Sequence, residues 1–185
     1  MVERGIIKEE EQELYQFGIR NGMILLLNVV TALVIGLLTE QLAVVAVFTL
    51  SFMVLRSYTG GYHSDSRIFC YLGSNLVLLV PVYTQAVFYK TSLARLLAVL
   101  LVSAGIIFLL SPMHSKNRKL DKEEQKHFGR KARLIAALEL AVLGILWHAG
   151  QIPYAYAVYT GICITALFML IGKAQLWIQS HTENG

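Results

Sequence analysis

From residue 56 to residue 70 the chain reads Arg-Ser-Tyr-Thr-Gly-Gly-Tyr-His-Ser-Asp-Ser-Arg-Ile-Phe-Cys, a polar island in an apolar sequence. It gathers a His, a Cys, an Asp, two Arg and a Gly-Gly pair, and the chemistry open to that set is nucleophilic. A thiol of ordinary pKa, about 8.5, is mostly protonated at neutral pH. An imidazole of pKa about 6.5 can take that proton and leave a thiolate–imidazolium pair. His63 and Cys70 are the only His and Cys close in sequence, so they are the natural pair. Seven residues of one straight helix would hold them on one face but about 10 Å apart. Direct proton exchange therefore requires His63 in a loop, folded back over a helix that starts near Ser64 to Ser66. Gly60-Gly61 suits such a reversal because glycine tolerates positive φ. Ser64, Asp65 or Ser66 can cap the helix.

The remaining members of the island carry two readings each. Cys70 alone on an apolar helix would be a packing residue; beside His63 it reads as a nucleophile. Asp65 is either a helix cap or a third group orienting His63. Arg56 and Arg67 either hold a substrate carboxylate or snorkel to the membrane interface. Cys163, in Gly-Ile-Cys-Ile-Thr, has no basic neighbour and reads as core. His114, His127, His148 and His181 are scattered and lack ligand spacing such as HExxH. Neither a metal nor a cofactor is expected.

The elements that must position this island are membrane helices. The 185 residues are 56% hydrophobic and 15% charged, with mean hydropathy +0.57. A soluble surface needs more charge, roughly 25% in typical globular chains. Six apolar stretches run approximately 22–38, 41–56, 68–89, 93–113, 134–149 and 152–173. A helix crosses the hydrocarbon in about 20 residues, with a range of about 17–25. The second and fifth stretches are short for a full crossing. The fold expected is an all-α, polytopic membrane helical bundle of about six transmembrane helices in a single domain, 1–185. An amphipathic helix precedes it within 1–21, the island occupies 57–70, and a basic loop spans 114–133.

Net charge +4 and a pI near 9.1 read as membrane topology rather than nucleic-acid binding. With the N-terminus inside, six crossings put 1–21, 57–67, 114–133 and 174–185 in the cytoplasm. Of 16 Lys and Arg residues only Lys90 and Arg95 then lie outside, as the positive-inside rule requires. Glu3, Glu9, Glu10, Glu11 and Glu13 are foreign to the basic start of a cleavable signal peptide, so a retained anchor is expected. The localisation is thus a cell membrane, multi-pass, with both termini and the island cytoplasmic. The two cysteines exclude a disulfide framework.

The run Arg56…Gly60-Gly61-Tyr62-His63…Cys70 resembles the signature of the accessory gene regulator B family, membrane cysteine endopeptidases that process a quorum-sensing propeptide. The likeness extends to the polar N-terminal helix, the apolar pairs and the basic stretch after Ser111-Pro112-Met113. It implies that His63 and Cys70 are catalytic, with Arg56 and Gly61 on further motif positions. It implies cleavage on the C-terminal side of the propeptide. The thioester acyl-enzyme then closes to a thiolactone or lactone ring, protected from water by the bilayer edge. Backbone N–H groups near Gly60-Gly61 are candidates for an oxyanion contact. The implied partners are a short propeptide with an acidic C-terminal tail, met by the basic loop, and a second copy of the chain in a homodimer. The competing reading is a small peptide transporter or exporter without protease activity. Against it, Glu139 is the main ionisable group in the remaining apolar segments, and no inverted repeat is evident.

Overall fold

A computed structural model of the chain describes residues 12–60, 67–113 and 122–182, and every regular element among them is an α-helix. In chain order these are α1 (Gln12–Leu38), α2 (Leu42–Thr59), α3 (Arg67–Lys90), α4 (Leu93–Leu110), α5 (Lys122–His148) and α6 (Ile152–Thr182). In hydrocarbon a backbone N–H or C=O has no water to pair with, so a spanning segment satisfies its polar groups within a helix. Short turns then force consecutive helices to run antiparallel. Thr39 to Gln41 join α1 to α2, and Ala149 to Gln151 join α5 to α6. Glu40 and Gly150 close these turns at positive φ, 56° and 72°.

Four segments are long and apolar enough to cross a membrane: Leu42–Thr59, Tyr71–Lys90, Leu93–Leu110 and Ile152–Ile178. Gly22–Leu38 is a shorter apolar helix. The expected short second span gains length because α2 continues to Thr59. The expected fifth span, 134–149, does not join the four. α5 gives its first dozen residues to charge, and the apolar remainder rises about 22 Å at 1.5 Å per residue, against a hydrocarbon core of about 30 Å. The part of the expected N-terminal helix within the described residues, from Gln12, runs unbroken into the apolar half of α1.

α6 is the central helix. It packs against α2, α3, α4 and α5, and 67% of its apolar window is buried, against 17–33% for the other three spans. Lipid tails are as apolar as leucine, so membrane helices associate through close packing and hydrogen bonds rather than hydrophobic expulsion. The buried residues of α6 accordingly include Ala155, Ala157, Gly161 and Ala166. One side of α6 (Tyr156, Ala157, Ile164) joins Ala32, Val45, Phe48, Leu78 and Phe88 in one core. Another (Val158, Ile162, Ala166, Met169) joins Leu55, Leu100, Ile107 and Ala136 in a second. Large aliphatic residues on α1, α3, α4 and α5 face outward, among them Leu26, Leu38, Leu76, Leu101, Leu109 and Ile145. So extensive an exposed apolar surface belongs against lipid.

Polar fastenings join the helices across the core. Tyr156 Oη of α6 lies 2.9 Å from Pro81 O and 2.6 Å from Thr84 Oγ1 on α3. Tyr71 Oη of α3 lies 2.8 Å from Thr31 Oγ1 on α1. Ser51 Oγ of α2 donates to Glu139 Oε2 of α5 at 2.7 Å. At this last point α6 also presses close, because a Cβ on Gly161 would stand 2.6 Å from Ser51 Oγ.

Gly161→Ala should therefore lower stability by about 1–3 kcal/mol, the range for overpacking a tight contact. Gly144→Ala is the control: its Cβ would meet nothing within 4 Å, and helix propensity favours alanine by about 1 kcal/mol. Thermal unfolding of the purified protein in detergent should separate the two, with Gly161→Ala melting lower and Gly144→Ala at or above the unsubstituted chain. Equal melting of both would contradict the packing described.

Candidate functional site

The island leaves α2 through Gly60, which has φ 70° and ψ −153°. That backbone conformation is accessible to glycine and strained for other residues. Space requires glycine as well, since a Cβ would lie 2.5 Å from the Met113 carbonyl oxygen. The turn is fixed from two sides. Arg56 Nη1 donates to Gly60 O, and Met113 N donates to Thr59 O at 2.9 Å. Each bond occupies a carbonyl at the C-terminal end of α2, where helices leave such groups without intrahelical partners. A cation there also complements the helix dipole. The Arg56 guanidinium stands 5.4 Å from the centre of the Phe168 ring of α6, within reach of a cation–π attraction. Arg56 thus works on the end of its own helix and on α6.

The same end of the bundle receives the connection from α4 and the start of α5. Ser111 is buried, with Oγ 4.0 Å from Met169 Sδ. Gly129 of α5 admits Pro112, whose Cδ would sit 2.9 Å from an added Cβ. The Tyr58 and Phe128 rings are 6.5 Å apart, and Lys131 Nζ lies 5.9 Å from the centre of the Tyr58 ring. Arg133 Nε donates to Phe108 O at 3.1 Å, tying α5 to α4. Outside this packed layer an open hollow of about 280 Å³ is lined by Glu123, Lys126, His127 and Arg130. These four recur at helical spacing on one face of α5.

Across the island, α3 begins at Arg67, so Cys70 belongs to its first turn. The next residue, Tyr71, is tethered to α1 through Thr31. Thr31 Oγ1 gives its own proton to Leu27 O at 2.8 Å, which leaves the Tyr71 phenol as donor to Thr31. Of the residues singled out in the sequence, Arg56 and Gly60 come together at the end of α2. Gly61, His63 and Asp65 lie outside the described residues, as do residues 114–121 of the basic loop; for Arg67 and Cys70 only the helical backbone is described. Cys163 sits on α6, far along the chain from the island.

Sequence reasoning passed over two features of this end. The donors that hold the turn at Gly60 come from Met113 and from Arg56 itself, and nothing in the order of residues announces that pairing. The Ser51–Glu139 bond had a visible half: Glu139 is the one acidic side chain in the apolar segments after residue 41. Its partner, a serine among dozens of apolar residues, carried no signal.

Comparison with known proteins places these residues in a context. A family model described as Accessory gene regulator B matches residues 1–171. The chain is 25% identical over 134 residues to "Putative AgrB-like protein 2" of Clostridium perfringens (strain 13 / Type A), covering 68% of this chain and 61% of that one. It is 24% identical over 131 residues to "Putative AgrB-like protein" of Clostridium perfringens (strain SM101 / Type A), with 68% and 61% covered. It is 26% identical over 156 residues to "Accessory gene regulator protein B" of Staphylococcus intermedius, with 82% and 80% covered. The chain spans about three fifths of the length of the two clostridial relatives. No solved structure matches it.

Gly60→Ala should cost about 1–3 kcal/mol, the usual range for a residue forced into a disfavoured backbone region, and should push Met113 off Thr59. The expected readout is a lower melting temperature with faster amide exchange at Met113. Unchanged exchange at that amide would contradict the turn described.

Proposed function

The chain belongs to the accessory gene regulator B family, and from that premise we propose that it is a membrane cysteine endopeptidase that cleaves and cyclises a short quorum-sensing propeptide. The observation that carries the reading is the position of Cys70. It stands in the first turn of a helix, seven residues after a histidine and within the span matched to the family. The first turn of a helix bears a partial positive charge that favours an anion, and cysteines at helix N-termini are among those whose thiolate is favoured.

The mechanism follows from that chemistry. His63 takes the Cys70 proton, and the thiolate attacks the carbonyl of the scissile bond. The tetrahedral intermediate collapses, and His63 passes the proton to the departing amine of the C-terminal fragment. The N-terminal part is left as a thioester on Cys70. A thiol or hydroxyl within the propeptide then gives its proton to His63 and attacks the thioester, closing a thiolactone or lactone ring and releasing the Cys70 thiolate. Water competes with that second attack, so the site works best where the bilayer edge limits water. An extended tight turn at Gly60, fixed to Met113 and Arg56, gives the histidine-bearing segment a firm origin.

In this reading the propeptide's acidic C-terminal tail meets the face of α5 that carries Lys126, His127 and Arg130. Lys126 and Arg130, with Glu123 lining the same hollow, lie on the side of the bundle where α2 ends and α3 begins, which is the cytoplasmic side under the positive-inside rule. A second copy of the chain completes a homodimer.

The test is co-expression with a synthetic-gene propeptide that has an amphipathic leader, a Cys-containing middle and an acidic tail. Cleavage should be seen with the unsubstituted chain and lost with Cys70→Ala and with His63→Ala, while membrane insertion is unchanged. Loss should be at least several hundred-fold, since nucleophile and base act as a unit. Normal processing by Cys70→Ala would remove the assignment. Export of the intact peptide without cleavage would favour the transporter.

A further inference from the structure

Besides Gln41 Oε1 in the α1–α2 turn, two side-chain amide oxygens are buried without a hydrogen-bond partner among the described residues: Asn28 Oδ1 on α1 and Asn75 Oδ1 on α3. Both share a helix face with the bond that joins these helices. Asn28 lies three residues before Thr31 on α1, and Asn75 four residues after Tyr71 on α3, spacings that place side chains on one face. Thr31 and Tyr71 are 2.8 Å apart. α1 and α3 run the same way, since each is antiparallel to α2. Along the seam the order is therefore Asn28, then Thr31 beside Tyr71, then Asn75. At 1.5 Å rise per residue the two orphan acceptors are about 10 Å apart, a distance an extended chain of about three residues covers. The seam begins beside the first turn of α3, the turn that holds Cys70.

A buried acceptor without a donor is costly, and natural proteins seldom keep one without a use. Inside a bilayer the cost is higher still, and intramembrane polar groups mark function. What arrives to donate must bring hydrogen at membrane depth. Lipid tails have no donor. A peptide backbone carries one N–H per residue. α1 is also the helix best placed to admit it, because its main packing partners are α2 and α3 alone.

We propose that the Asn28–Asn75 seam is a substrate subsite, in which the two amide oxygens accept backbone N–H groups of an extended propeptide segment lying beside the first turn of α3. The inference rests on the reading of the chain as a propeptide-processing enzyme and names the surface that orients its substrate. Asn28 and Asn75 are positioning residues. They hold the peptide in register and take no part in the bond that breaks.

The experiment separates the subsite from the chemistry by measuring binding to the full chain carrying Cys70→Ala, in lipid nanodiscs. The probe is the synthetic propeptide described above, fluorescein-labelled, together with copies N-methylated at one backbone position at a time. Asn28→Leu and Asn75→Leu should each weaken binding about five-fold, the worth of one hydrogen bond. Melting temperature should hold or rise, because a leucine of similar size removes an unsatisfied polar group. N-methylation at one or two positions about three residues apart should weaken binding to the Asn-bearing chain about five-fold, and not to the Leu variants. If the leucine variants do not fold, the N-methyl scan on the Asn-bearing chain still decides: sensitivity confined to such positions supports the subsite, and uniform indifference overturns it. Leu variants that melt higher and bind as tightly as before would mean that ordered water alone meets the amides, and the proposal fails. Asn-dependent binding with no cleavage by the Cys70-bearing chain would sink the protease reading and leave the subsite standing. Absence of binding to every form overturns both.

Discussion

At Gly161 the α6 backbone comes close enough to α2 that a single methyl group would strike the Ser51 hydroxyl. In a solvent of lipid tails no hydrophobic force drives two apolar helices together, so intimate contact has to come from small residues. α2 and α6 make the principal interface of the bundle, and it forms because the central helix offers little bulk there. The Ser51 hydroxyl at this contact then turns to α5 and donates to Glu139. One close approach therefore brings three helices into a fixed mutual register. Arg56 and Gly60 lie one to three turns further along α2, Arg133 and Gly129 about two to three turns back along α5, and Phe168 two turns along α6.

That register is what lets the end of α2 be finished by residues distant in sequence. Met113 closes on Thr59, Pro112 settles on Gly129, and Arg56 reaches both Gly60 and Phe168. On the other side of the island Tyr71 is bound to Thr31. The segment that carries His63 thus departs from one anchored helix end and returns to another. In the proposed mechanism, anchoring both helix ends lowers the entropy that the His63–Cys70 pair must otherwise lose when it forms.

The bundle treats its interior polar groups in two ways. Ser51 with Glu139, Thr31 with Tyr71 and Tyr156 with Thr84 and Pro81 are matched, and each joins two helices. Asn28 and Asn75 are unmatched, and they flank one of those matched bonds. An acceptor left in apolar surroundings gains from pairing far more than one in water, because its alternative is no partner at all. Satisfied and unsatisfied groups thus share faces of α1 and α3, and the proposed substrate subsite draws on that contrast.

The all-α, membrane-embedded architecture was legible in the sequence, because hydropathy over twenty-residue windows and the demand for internal backbone hydrogen bonds are properties of composition and chain order alone. Arg56, Gly60, His63 and Cys70 were legible as a chemical set for a related reason: polar residues are rare in such a chain, and their clustering is conspicuous. The 134–149 segment shows the limit, since its length matched neither a full span nor a loop, and the helix that contains it joins a charged part to an apolar one without a break. Tertiary structure alone decided that α6 sits at the centre, that Arg56 caps its own helix, that Met113 seals the turn at Gly60, and that Ser51 finds Glu139 eighty-eight residues away. These depend on distances between helices, which small residues such as Gly161 and Gly129 set by what they lack, and an absent side chain leaves no pattern along the chain to read.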